Sequence, residues 1–222
     1  MKPNTQFFIR FFIVLVLFST SFATADTTDT VLGTSAHGDY PNTGTYDTSI
    51  GYGSQVHGTT GSFNTALGAI SLVTNSTGMA NTAIGYAALY YSTAGYNTAV
   101  GYQALLNTST GINNVGFGVY AMLSNTTGSN NTALGYYAGY SITSGGNNIV
   151  LGYQAGSSLT TGSNNICIGH LGVATDANTI RIGTVGTHAA TYLTGIVHST
   201  QPVRIAAAGD LSMGAFTNGP QP

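Results

Sequence analysis

Five tyrosines stand at one recurring point of this chain: Tyr52, Tyr86, Tyr102, Tyr136 and Tyr153, each directly after a glycine. A phenol ring joins a flat apolar face to a polar edge, so a column of such rings suits contact with sugars or with protein. Exposed apolar stripes are unusual on monomers, so the reading favoured for the column is a seal between chains or packing on the molecule's own side. Ala69, Val119 and His170 interrupt it. The other candidates for chemistry do not converge. His37, His57, His170, His188 and His198 are scattered, no two at metal-ligand spacing, and the chain has no Glu to join them. They are expected as surface or turn residues. No Gly-x-Ser-x-Gly elbow marks a nucleophile. Cys167 is the single cysteine, which excludes an intrachain disulfide and a cysteine metal cage. It occupies a column otherwise filled by Ala, Ser, Gly and Val, so it reads as a small packed residue. No catalytic residue, metal or cofactor is expected.

Charge narrows the partners. Only 5% of the 222 residues are charged, and none lies between Asp47 and Asp176. Nucleic acid binds through Lys and Arg at phosphates, and this chain offers no basic patch. Calcium-binding β-roll repeats need Asp within each repeat, and glycosidases need a carboxylate pair; the coils supply neither. The N-terminus reads as an export signal: Lys2 and Arg10, the apolar run Phe11 to Phe18, and Ala23-Thr24-Ala25, with cleavage between Ala25 and Asp26. The apolar run is shorter than the roughly 18 residues that span a bilayer.

The elements that position the tyrosines are set by an internal repeat. Asn81-Thr82-Ala83-Ile84-Gly85-Tyr86 is its clearest copy. Related copies begin at Asn64, Asn97, Asn114, Asn131, Asn148 and Asn165, spaced by 17 residues except for one step of 16, assigned to the turn Ala94-Gly95-Tyr96. Weaker copies begin at Asp47 and Asp29, and a last variant, Asn178 to Gly183, falls out of register. The first position forms an Asn column. The fifth is Gly throughout: Gly51, Gly68, Gly85, Gly101, Gly118, Gly135, Gly152 and Gly169. An obligate Gly marks a positive-φ bend or a close backbone approach. The fourth is large and apolar (Ile50, Leu67, Ile84, Val100, Phe117, Leu134, Leu151, Ile168) and reads as a core ladder. The second, mostly Thr, shares its strand face and is expected to be interior too. Each repeat thus predicts two very short strands around a Gly corner, closed by turns such as Thr77-Gly78 and Thr127-Gly128. Glycines and Thr/Asn turns at this density disfavour helix.

A 17-residue unit buries nothing alone, so the units must stack. The expected fold is all-β: a parallel β-solenoid of about eight coils. Stacked Asn amides can hydrogen-bond along such a rod, and identical stacked charges would repel, which fits their absence. The expected division is an export signal over 1–25, a cap or weak first repeat over 26–46, the solenoid over 47–175, and a β segment with a flexible tail over 176–222. Sequons at Asn75, Asn107, Asn125 and Asn130 are read as products of Thr/Asn-rich turns.

The run Asn-Thr-Ala-Ile-Gly, with a small residue three positions after the Gly, resembles the head repeat of trimeric autotransporter adhesins. The Asn-Thr-Ala-x-Gly-Tyr-x-Ala form is similar to bacterial and phage tail-fibre-like repeat proteins, whose ends commonly read like Asn178 to Thr184 followed by Thr187 to Ile196. The coiled-coil stalk and membrane barrel of the adhesins find no match after Ile196. The resemblance implies a homotrimer and an exported, noncatalytic structural or adhesive module. Its implied partners are a host matrix protein or glycan. Two other functions stay open at this point: an ice- or surface-binding solenoid, and a tail-fibre-like protein that processes polysaccharide.

Overall fold

The structure, a computed structural model, describes residues 29–36, 43–184 and 187. The export signal with its Ala25–Asp26 junction, His37, His188, His198 and the tail after Thr187 lie outside the described residues. Each repeat contributes one strand of three residues. In chain order these are β1 (Thr30–Leu32), β2 (Thr48–Ile50), β3 (Thr65–Leu67), β4 (Thr82–Ile84), β5 (Thr98–Val100), β6 (Val115–Phe117), β7 (Thr132–Leu134), β8 (Ile149–Leu151), β9 (Ile166–Ile168) and β10 (Ile180–Ile182). They form one parallel sheet in simple sequential order. The fold is therefore the expected β-solenoid, and the sheet continues to β1 and β10 at its two ends.

Register follows the repeat. Thr82 pairs with Thr98, Ala83 with Ala99 and Ile84 with Val100 across the 16-residue step. The missing residue falls at Thr93 rather than in the following turn, because Ala94 already occupies the place of Gly78: its carbonyl accepts from Asn81 Nδ2 just as that of Gly78 accepts from Asn64. The last variant also pairs in register, Arg181 beside Cys167, through a shortened loop. The expected misregister was one of sequence spacing only.

Among the described residues, the second strand expected in each coil is absent. After the Gly corner the chain winds through consecutive turns in which alternate residues take left-handed φ, as at Ala87 (54°) and Leu89 (52°). Pleated backbone cannot accommodate that alternation. Coil-to-coil pairing survives it: Ala87 N–H donates to Ala69 and Leu89 N–H to Ala104 in the opposite direction.

The core also differs from expectation. The fourth column is not a core ladder. Leu67, Phe117 and Leu134 are 42–51% exposed, and the second column shares that outer face. The inward strand position is the third, where Ala66, Ala83, Ala99, Ala133, Val150 and Cys167 are buried. Opposite them lie Leu72, Leu89, Leu105 and Met122, each fully buried. The coil is too narrow for large residues on both walls: a Cβ on Gly116 would already approach Leu105 Cγ at 3.0 Å. Where the ninth position is Gly (Gly139, Gly156), Ile142 and Leu159 fill the space from three residues further on, and Val150 enlarges the strand side. Native interiors need this filling to reach their packing density.

The Asn column is buried and works in two directions. Each side-chain oxygen accepts the backbone N–H that opens the next coil, in an unbroken series from Asp29 through Asp47 and the Asn residues to Thr179. Each Asn Nδ2 donates to the turn carbonyl that closes its own coil, at 2.8–3.1 Å. From Asn114 to Asn165 the amides also bond to one another. Asp replaces Asn at the N-terminal end because only the acceptor role is common to every coil. There Gln55, in the core column, donates to Asp47 and accepts from Ser49.

Candidate functional surfaces

Two surfaces stand out. The first is the outer face of the sheet. Its second column reads Thr30, Thr48, Thr65, Thr82, Thr98, Val115, Thr132, Ile149, Ile166 and Ile180; its fourth adds the large apolar side chains. Both columns are half-buried or exposed throughout, and rungs repeat at the interstrand spacing of about 4.8 Å. At the position that opens onto each rung of the Asn column, exposed aromatics at Tyr46, Phe63 and Tyr96, with Ala80 between the last two, give way to exposed Asn at Asn113, Asn130, Asn147, Asn164 and Asn178. An apolar face of this extent is what marks interaction surfaces on soluble proteins.

The second surface lies around the corner made by the obligate Gly. These glycines adopt φ of 115–140° over most of the column, and a Cβ on Gly85 would sit 2.4 Å from the carbonyl oxygen of Gly101. The close approach turns every following residue outward. Tyr52, Tyr86, Tyr102, Tyr136 and Tyr153 are all exposed, by 42–69%. They stack in pairs, Tyr86 on Tyr102 at 5.2 Å and Tyr136 on Tyr153 at 5.7 Å, interrupted where Ala69 and Val119 stand. Sequence reading of that one column missed the rest of the array. Tyr120 and Tyr137 bridge the two pairs edge-on and tilted, and Tyr140 packs on Tyr137. Burial and the neighbouring phenols, Tyr102 and Tyr136 among them, push the Tyr120 and Tyr137 hydroxyls above their ordinary range. These two bridging rings are therefore uncharged at any ordinary pH. Reading the seventh and tenth columns as well as the sixth would have found these rings.

Cys167 is buried and burial pushes its thiol up, so it is a packed residue with little thiolate. His57 is exposed; His170 Nδ1 accepts the Gly172 N–H. No group of three His, Cys, Asp or Glu that could hold a metal occurs among the described residues. Asp176 is held by Arg181 in a two-point ion pair over the last rung of the core. Asn75 and Asn125 are buried, which closes those two sequons; Asn130 is exposed. No helix among the described residues is long and apolar enough to cross a membrane.

No family model matches the chain, and comparisons with curated proteins and with solved structures give no match.

Proposed function

We propose that this protein is an exported, noncatalytic adhesive or structural fibre module that works as a homotrimer. The observation that carries this reading is the outer sheet face: a regular strip of apolar and Thr side chains on a coil without charge from Asp47 to Asp176. Three copies joined along these strips would withdraw Leu67, Phe117, Leu134 and Ile168 from water and leave the tyrosine array outward. Each fully buried aliphatic or aromatic side chain contributes roughly 1.5–3 kcal/mol. The N-terminal composition supports export, and a surface free of charge and rich in aromatic rings supports adhesion to host matrix protein, glycan or cell surfaces.

Sedimentation tests the assembly. The wild-type chain is expected at three times its chain mass. The double variant Phe117→Ser/Leu134→Ser is expected at one chain mass with an unchanged far-ultraviolet spectrum. A folded wild-type monomer overturns the trimer, and failure to bind any matrix, glycan or cell surface overturns adhesion.

A second reading has its own support. Thr48, Thr65, Thr82 and Thr98 form an in-register, outward-facing ladder, the arrangement an ice- or mineral-binding face requires. The Thr column, expected to be interior, faces outward instead, where such a ladder can meet a surface. It competes with the trimer for the same face, so thermal hysteresis from a monomer would replace the first proposal. Polysaccharide processing has less support: Asp47 and Asp176, in the first and last full coils, are each engaged in capping bonds.

A further inference from the structure

One coil departs from the repeat, and the departures meet at one place. At the eleventh position the repeats carry His57, Thr74, Asn107, Ser124, Ser141 and Ser158, but the coil from Asn81 carries Tyr91. At the seventh position its neighbours carry Ile70 and Gln103, while this coil carries the buried Ala87. It is also the coil shortened by one residue at Thr93. The small Ala87 leaves a depression of about 220 Å³ between the side chains above and below it, walled by Tyr86, Tyr90, Tyr91 and Gln103 together with the apolar Ile70 and Leu106.

The walls have a definite chemistry. Tyr86 is backed by its stack on Tyr102, and Tyr90 meets Tyr91 edge-on at 4.6 Å, so the rings that line the depression are braced by ring neighbours without needing to be ordered by a ligand. The Gln103 backbone is tied to Tyr86, while its side-chain amide makes no hydrogen bond among the described residues. Rings offer π faces to polarised C–H groups, and phenols and an amide offer neutral donors and acceptors at the rim. No formal charge lies anywhere in the coils from 48 to 175. That composition matches a neutral pyranose, whose C–H groups gather into an apolar patch on a ring face and whose hydroxyls lie mostly around the ring's edge. It disfavours sialylated, sulfated or phosphorylated ligands, which would lose hydration without gaining a cation. The volume falls below the roughly 300 Å³ at which drug-sized pockets begin, which suits a single terminal ring.

We infer that the depression between Tyr86, Tyr90, Tyr91 and Gln103 is a binding site for an uncharged sugar ring at the end of a glycan. The inference rests on the adhesive reading and names its ligand class.

The test applies the full chain to a panel of neutral hexose- and N-acetylhexosamine-terminated oligosaccharides, with sialylated and sulfated counterparts. Neutral members are expected to bind. Tyr91→Ser introduces the residue that three other coils carry there (Ser124, Ser141 and Ser158) and is expected to weaken binding about tenfold or more. Ala87→Gln fills the depression with the residue that Gln103 holds at nearly the same φ, 52° against 54°. It is expected to abolish binding while the melting curve and sedimentation stay as in the wild type. Binding that both variants retain, binding confined to acidic members, or no binding at all overturns the inference. Adhesion to matrix or cells stripped of glycans, alongside a blank sugar panel, defeats this inference and leaves the adhesive reading standing.

Discussion

Two glycines make the contrast between space and conformation measurable. At Gly101, φ is 136° and an added Cβ would lie 2.5 Å from the Gly118 carbonyl oxygen, which is backbone and cannot step aside. At Gly53, φ is 60° and the nearest atom is a side-chain methyl of Ile70 at 3.4 Å. The equivalent position one turn on from Ile70 already holds Ala87 at 54°. Gly101→Ala is therefore expected to destabilise by more than about 2 kcal/mol in urea unfolding, and Gly53→Ala to stay within about 1 kcal/mol. Similar losses at both would mean that the Gly column is required by φ alone and not by the stacking of coils. The spacing of that column in the sequence was enough to mark a special backbone position. The conflict with the next coil's carbonyl was not legible, because it involves residues 17 apart that only stacking brings together.

At the scale of the element, the last rung shows how a stack ends. Arg181 stands in β10 at the inward position, where the coils from β2 to β9 have a residue no larger than Val150. It covers the end of the core by bonding through Nε and Nη2 to Asp176, which also accepts the Val173 N–H. The Arg181 hydrogen bond holds the Asp176 carboxyl below the usual aspartate range, against a smaller opposing effect of burial. A lowered folded value means that the native state binds the proton more weakly than the unfolded chain. The cap's contribution is therefore complete above the ordinary aspartate range and is lost as the pH falls through that range and the lowered value beneath it. Amide protection factors at Thr179 to Ile182, each taken against the unfolded rate at the same pH, are expected to fall on acidification before those of β4 to β7, where no carboxylate titrates. Asp176→Asn is expected to remove this pH dependence. A uniform fall in protection along the sheet would place the acid sensitivity elsewhere. The sequence showed a variant repeat at Asn178, but its three-residue shortfall hid the register, since loops between solenoid strands absorb length changes without moving the rung.

For the molecule as a whole, stability in a stack is close to a sum over coils and their neighbour contacts. Removing residues 114–130 takes out one complete 17-residue period and brings Thr98 beside Thr132 and Asn97 beside Asn131. That deletion is expected to leave a cooperative, β-rich protein with a lower melting temperature by circular dichroism. Removing only residues 114–121 breaks the Asn series within a coil and is expected to prevent folding of the stack. Equal tolerance of both deletions would contradict the clasp between each Asn and its closing turn.

The period, the Asn and Gly columns, the absence of charge and hence the parallel solenoid were all determined by the sequence alone, because every coil repeats the same local instruction. The sequence also placed the second and fourth columns on one strand face, since side chains alternate with a period of two. It did not determine which face is inside. Apolarity suggested the large residues, yet the interior took the small ones. The tertiary structure decided this: one wall of a narrow coil is filled by Leu72, Leu89, Leu105 and Met122, so the facing strand has room only for Ala and its like. The same decision turned Leu67, Phe117 and Leu134 toward whatever lies outside. In the same way, only the winding of the chain could bring Tyr86, Tyr91 and Gln103, from two different coils, to the edge of one depression.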